Sequence, residues 1–176
     1  MTIITDKPQN INTIYFGGGT PSVLNNKELE FLIDTVYNNY EVSEQPEITI
    51  EANPDDLSKN RIIELSQSPV NRLSIGIQSF FEDDLKLMNR AHNAQEAKDC
   101  LAEAVKYFNN ISVDLIYGLP GLTSDQWLSF LKQVVSLGVP HISAYCLTIE
   151  NKTKLKNDIA NGLIVPLPEN KQVEQF

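Results

Sequence analysis

Ile14-Tyr15-Phe16-Gly17-Gly18-Gly19-Thr20-Pro21-Ser22 decides the reading of this chain. An apolar run meets three consecutive glycines, then a proline suited to a helical first turn. The run reads as a strand. The glycines let the backbone take positive φ and let a ligand approach with no Cβ in the way. On its own such a turn is equally a tight strand-to-helix connection. It gains weight because four later strands each end or carry a polar residue where a ligand site would need one.

Working outward, hydrophobic periodicity predicts strands alternating with helices. Strands are expected over Ile11–Phe16, Glu47–Glu51, Arg72–Gln78, Ile111–Tyr117 and His141–Leu147. The first helix is expected over Asn26–Tyr40, with Leu29, Leu32, Ile33, Val36 and Tyr37 on one face. Ser58 can cap a second helix that ends near Ser66, and a short one follows over Glu82–Asn89. Asn93 with Glu96, and Thr123 with Gln126, have capping-box spacing. They open helices that end near Phe108 and Leu137. A weaker helix is expected over Lys152–Ala160, with Gly162 suited to its C-cap.

Five βα units imply a parallel sheet with right-handed crossovers. An open doubly wound sheet and part of a barrel both fit, and no edge strand is evident from composition. In either fold ligands gather at the carboxyl ends of the strands. These units occupy residues 11–162, and residues 163–176 read as a linker with two prolines. Gln172–Phe176 looks like the start of a further element.

The bulk numbers bound the function. The chain has 176 residues, 41% of them hydrophobic and 21% charged, enough for one domain with a core. A net charge of -9 argues against a general nucleic-acid or anionic-membrane surface. No window approaches the roughly 18 apolar residues of a membrane span. Met1–Asn10 has no apolar signal core, so a cytoplasmic location is expected. Cys100 and Cys146 have neither disulfide-framework nor metal-ligand spacing, and both are read as buried small hydrophobes. His92 and His141 also lie outside any metal-ligand spacing and read as structural or exposed, while Trp127 reads as core. No Walker-type Gly-Lys-Ser/Thr and no catalytic triad are present.

The candidate site residues are the polar groups at the strand ends. Free N–H groups at Gly18, Gly19 and Thr20 can hold a carboxylate. Glu51 can accept from an ammonium or a ribose, or serve a solvated turn. Gln78 can donate and accept, or stabilise a loop. Arg90 can pair bidentately with a ligand carboxylate, or form a surface ion pair. Asp114 sits inside an apolar strand, where an acid is costly unless paired. Together they form a rim suited to a zwitterionic ligand that carries a ribose.

Four stretches carry a family resemblance. They are Tyr15–Ser22, Glu51-Ala52-Asn53-Pro54, Asn71–Phe80 and Val113-Asp114-Leu115-Ile116-Tyr117-Gly118-Leu119-Pro120-Gly121. In this order they resemble the oxygen-independent coproporphyrinogen III oxidase family of radical S-adenosylmethionine (SAM) proteins. The resemblance implies a partial (β/α)6 barrel with SAM across its open top against a [4Fe–4S] cluster. It implies that Gly18, Gly19, Thr20, Glu51, Gln78, Arg90 and Asp114 bind SAM, with Arg90 on the methionine carboxylate. Thr148 is a further, weaker correspondence.

The family has an oxidase branch, which decarboxylates two propionates of coproporphyrinogen III, and a heme chaperone branch, which passes heme to accepting proteins. Arg90-Ala91-His92-Asn93 resembles the chaperone pattern, since the oxidase branch usually has glutamine at the position of His92. His141–Glu150 with Thr153 is also of chaperone type. The family's Cys-x3-Cys-x2-Cys loop is absent, and with it the first βα unit. The chain therefore reads as an internal piece of a longer protein, expected to hold SAM but not to cleave it, and to associate through its exposed strand edge. The oxidase, and a cluster-free binding domain, remain the alternatives.

Overall fold

Five strands in the computed structural model pair in chain order, every neighbour parallel. They are β1 (Asn10–Phe16), β2 (Glu41–Ala52), β3 (Arg72–Gln78), β4 (Ile111–Tyr117) and β5 (His141–Cys146). The structure describes residues 10–168, 170 and 171. The readings of the segment before Asn10 and of Gln172–Phe176 lie outside the described residues. Helices α1 (Asn26–Asn39), α2 (Lys59–Ser66), α3 (Glu82–Leu87), α4 (Ala94–Ala104), α5 (Ser124–Ser136) and α6 (Lys154–Ala160) complete the alternation. A doubly wound sheet requires the strand order to reverse, and this one never does. The chain is instead part of a barrel, wound in one direction.

Side chains alternate across each strand. One face carries Ile48, Ile50 and Ala52, then Leu73, Ile75 and Ile77, then Ile111, Val113 and Leu115, all buried. Leu29, Ile33, Ile62, Leu65, Leu101 and Phe130 of the helices join them in one core. The other face carries Thr49 and Glu51, then Arg72, Ser74 and Gly76, then Ser112 and Asp114. Register aligns them: Glu51 lies opposite Ser74, Ser74 opposite Ser112, and Asp114 opposite Ser143. The fold thus packs an apolar face of its sheet under the helices and turns inward a polar face on which Thr49, Ser74 and Ser112 are themselves buried.

Local signals explain the helix starts. Asn93 and Thr123 form the two expected capping boxes, and Asn25 forms a third with Glu28. Ser58 accepts from the Arg61 N–H at 3.2 Å. Gly162, at φ +71°, takes the C-terminal reversal after α6.

Several expectations need correction. β2 begins at Glu41, well before Glu47, because Glu41 and Val42 pair with Asn10 and Ile11 before a register shift. Pro46 and the polar residues around it hid this pairing. β1 and β5 are the sheet edges, which composition did not reveal. On α1, Leu32 and Tyr37 are 40% and 46% exposed, so only Leu29 and Ile33 anchor the helix fully. Cys146 is exposed rather than buried, because it ends edge strand β5. α3 stops at Leu87 and α4 at Ala104, each short of the expected end.

Candidate functional site

The site forms where the strands leave the sheet. After β1 the chain takes φ +77° at Gly18 and φ +67° at Gly19, which a side chain would strain. The Gly18 N–H donates to Glu51 Oε2 at 2.9 Å, and the Tyr15 hydroxyl donates to Oε1 at 2.8 Å. The glycine turn is therefore tied to the end of β2 through one carboxylate. That carboxylate retains lone pairs for a further donor.

Arg90 arrives from α3. Asn89, at φ +52°, reverses the chain, and the Arg90 N–H donates to the Leu85 carbonyl at 2.9 Å. The guanidinium then reaches back across the strand ends. Its Nη2 donates to Asn53 Oδ1 at 2.5 Å and lies 3.4 Å from the Gly76 carbonyl. Its Nε is buried and has no partner. Among the described residues no carboxylate pairs with Arg90, so the surface ion pair is not its role. A buried cationic donor left open is costly unless a ligand completes it.

Gly76 makes room for this. A Cβ there would lie 2.8 Å from Gln78 Nε2, 3.3 Å from Asn53 Oδ1 and 3.5 Å from Arg90 Nη2. Three polar groups from three segments converge over one glycine. Gln78 itself sits at φ +66°, in the left-handed region, beside a register break between β3 and β4.

Two adjoining cavities result. Gly19, Thr20, Glu51, Gln78 and Asp114 line one of about 180 Å³, with Asn53, Ser74 and Gly76. Gln78, Arg90 and Thr148 line a larger one of about 510 Å³, whose wall is mostly apolar through Leu87, Met88, Ile116, Leu147 and Leu155. Gln78 is common to both. Gly18 faces a separate hollow shared with Tyr15 and Val23, and reaches the rim only through Glu51.

Asp114 stands on the inward face of β4. Burial pushes its carboxyl above the usual range, the Ser143 hydroxyl opposes that, and Glu51 adds to the upward push. Tyr15 is likewise raised, first by burial and then by its bond to Glu51. A cluster that resists further negative charge suits a ligand bringing a positive one.

Sequence reading missed Asn53, Ser74 and Gly76 as site residues. Ser74-x-Gly76-x-Gln78 has the period of a strand face, and that spacing was the available signal. Lys154, which lines the larger cavity, gave no such signal. His141 is exposed, and His92 is buried.

The residues present fit a SAM-like ligand but not an iron–sulfur cluster. Cluster irons need thiolates. Cys100 is buried in the core with its thiol pushed up to about 12, and Cys146 is exposed at the end of β5, far from it in sequence. Among the described residues no group of three or more His, Cys, Asp or Glu can hold a metal. None of their helices is long and apolar enough to cross a membrane.

A parallel part-barrel with a polar rim at its strand ends is an α/β ligand-binding scaffold. Residues 2–134 match the Radical SAM superfamily, and the chain belongs to that superfamily. It is 40% identical over 145 residues to the heme chaperone HemW of Escherichia coli strain K12, covering 81% of this chain and 38% of that protein. To HemW of Lactococcus lactis it is 37% identical over 169 residues, covering 96% of this chain and 45% of that one. Coproporphyrinogen III oxidase (HemN) from Escherichia coli, a radical SAM enzyme, superposes with a TM-score of 0.75 at 27% identity. That match covers 95% of this chain and 38% of the oxidase. The chain thus spans less than half the length of these relatives.

Proposed function

We propose that the strand-end rim binds SAM, and that the protein belongs to heme handling as a chaperone. The observation that carries the first part is the open Arg90 Nε, buried beside cavities that share Gln78. In this reading Arg90 holds the methionine carboxylate. The ammonium lies toward Glu51 and Asp114, and Gly19 and Thr20 of the glycine turn border the smaller cavity. The apolar wall of the larger cavity takes the adenosine, with Thr148 at its edge. Bound SAM supplies a sulfonium and a transferable adenosyl group. This chain's own residues orient and neutralise it.

With Cys100 and Cys146 as its two cysteines, the chain supplies no Cys-x3-Cys-x2-Cys thiolates for an iron–sulfur cluster. The heme part rests on HemW relatives near 40% identity and on His92 in Arg90-Ala91-His92-Asn93. The structural likeness to HemN favours oxidase chemistry as the second reading.

Calorimetric titration of this chain with SAM tests the site. Saturable binding that is lost in Arg90→Ala and Asp114→Ala is expected; equal binding by the variants refutes it. After reconstitution with iron, sulfide and reductant, formation of 5′-deoxyadenosine by this chain would overturn the claim that it holds SAM without cleaving it. Reading the gene upstream of Met1 and past Phe176 addresses the remainder. An in-frame Cys-x3-Cys-x2-Cys supports a radical SAM parent. Heme binding by the encoded protein without decarboxylation of coproporphyrinogen III then favours the chaperone.

A further inference from the structure

His92 lies two residues beyond Arg90, and its side chain is wholly buried. Its Nε2 is 3.1 Å from the Ile77 carbonyl. A carbonyl only accepts, so Nε2 carries the proton. The same carbonyl accepts the Ser79 N–H at 2.8 Å, closing a three-residue turn around Gln78 at φ +66°. A γ-turn of this sign is rare and strained. A non-glycine residue held there is strained and persists only where its surroundings fix it. His92 holds the carbonyl that closes the turn, and the Ser79 hydroxyl, which donates to Asp84 Oδ2 at 2.6 Å, holds its far end.

The opposite edge of the ring faces another site segment. Nδ1 lies 3.6 Å from Asp55 Oδ1, in the 3-10 turn Pro54–Asp56 that follows Asn53. Asn53 is the residue that accepts from Arg90. The imidazole therefore links the exit of β2 to the exit of β3, the two segments that the Arg90 guanidinium also contacts through Asn53 and the Gly76 carbonyl.

We infer that His92 is a positioning residue that holds Gln78 and Arg90 in their ligand-facing geometry, an inference that rests on the rim being a SAM site. Without the Nε2 donor, the turn at Gln78 is free to relax towards negative φ. The Gln78 amide then leaves the rim that both cavities share, and the segment of Asn53 and Asp55 that receives Arg90 loses the imidazole beside it.

Three variants of this chain test the role: His92→Gln, whose amide nitrogen reaches about as far as Nε2; His92→Asn, whose amide falls short of Ile77; and His92→Leu, which keeps bulk and removes the donor. SAM affinity and hydrogen exchange at the Ser79 amide are the readouts. The Asn and Leu variants are expected to bind SAM about tenfold more weakly, with Ser79 exchanging faster, while Gln stays within about threefold of the unmodified chain. Rescue by Gln and not by Asn distinguishes positioning from mere filling of the core. If Leu fails to fold, the Gln and Asn pair decides. Wild-type affinity in the Asn variant, or a Gln variant as weak as Asn, overturns the inference. If the unmodified chain binds no SAM, the reading of the site falls. Ser79 exchange then decides the role of His92: faster in Asn but not in Gln supports it, and unchanged exchange in both overturns it.

Discussion

Gly76→Ala separates the site from the fold. Gly76 lies within β3, and its backbone is not in the positive-φ region. Alanine is therefore permitted there, and in a strand interior it is favoured over glycine by about 0.5–1 kcal/mol. The added Cβ would stand 2.8 Å from Gln78 Nε2. Ordinary contact near 3.5 Å requires the amide to retreat by about 0.7 Å. Because that atom is the far end of a flexible side chain, the retreat is cheap for folding, and stability should stay within about 1 kcal/mol. For binding it is not cheap. A ligand bond of about 2.9 Å stretched by that amount is no longer a hydrogen bond. Asn53, at 3.3 Å from the Cβ, would also have to shift, and it anchors Arg90. Loss of one hydrogen bond to a charged ligand group costs about 1.5–3 kcal/mol, so SAM affinity should fall at least about tenfold. Calorimetry measures both quantities on one sample. Wild-type affinity with an unchanged melting temperature would refute the placement of Gln78, Asn53 and Arg90 on the ligand.

Three further outcomes are expected. Asp114 is raised by burial, so the folded protein keeps its proton to higher pH than the unfolded chain does. Stability should therefore fall as pH rises from the ordinary carboxylate range through the raised value, and Asp114→Asn should flatten that fall. Melting temperatures between pH 3 and pH 7 that run parallel in the two proteins would contradict this. The Tyr15 phenol should titrate above its ordinary value, and Glu51→Gln should bring it part of the way down, because burial as well as Glu51 raises it. Ring-carbon NMR shifts against pH read this directly, and an unmoved midpoint in the variant would exclude the Tyr15–Glu51 bond in solution. Phe130 is fully buried, and its ring centroid is 4.9 Å from that of Phe81, 5.9 Å from Phe80 and 6.1 Å from Trp127. Phe130→Ala should cost about 3–5 kcal/mol in urea unfolding; a loss below about 1 kcal/mol would place the core elsewhere.

The strands and their order of appearance were legible because the buried face writes itself as alternation or as a short apolar run. Ile111-Ser112-Val113-Asp114-Leu115 shows both faces at once. The odd-numbered side is the apolar one under the helices; the even-numbered side is polar, with Ser112 buried and Asp114 partly desolvated. Capping boxes were legible because each is a local bond between residues three apart. Residues 47–51 of β2 were legible but its start at Glu41 was not, since that early pairing with β1 depends on a long-range register that Pro46 interrupts. The choice between a doubly wound sheet and part of a barrel also lay beyond local pattern, because it depends on which side each new strand joins. At the site, the residue types were visible but their grouping was not. Nothing in spacing says that Gln78 would be shared between two cavities. Nor does spacing reveal that Asn53, read only as part of a turn, would carry the guanidinium of Arg90.

The two faces of the sheet divide the physical tasks. Ile50, Leu73, Ile75, Ile77, Val113 and Leu115 are fully buried on the helix side, so most of the folding free energy arises there. The inward face is held instead by hydrogen bonds and partial desolvation: Glu51 between Tyr15 and Gly18, Asp114 near Ser143, Arg90 on Asn53. Removing such a group disturbs few packed atoms, so its cost should appear mainly in ligand affinity. His92 is the exception, because it is buried on the core side yet bonds to the carbonyl of the strained turn. Substitutions at Gly76 or Arg90 should therefore move affinity with little change in stability, substitutions at Phe130 should do the reverse, and His92 should move both.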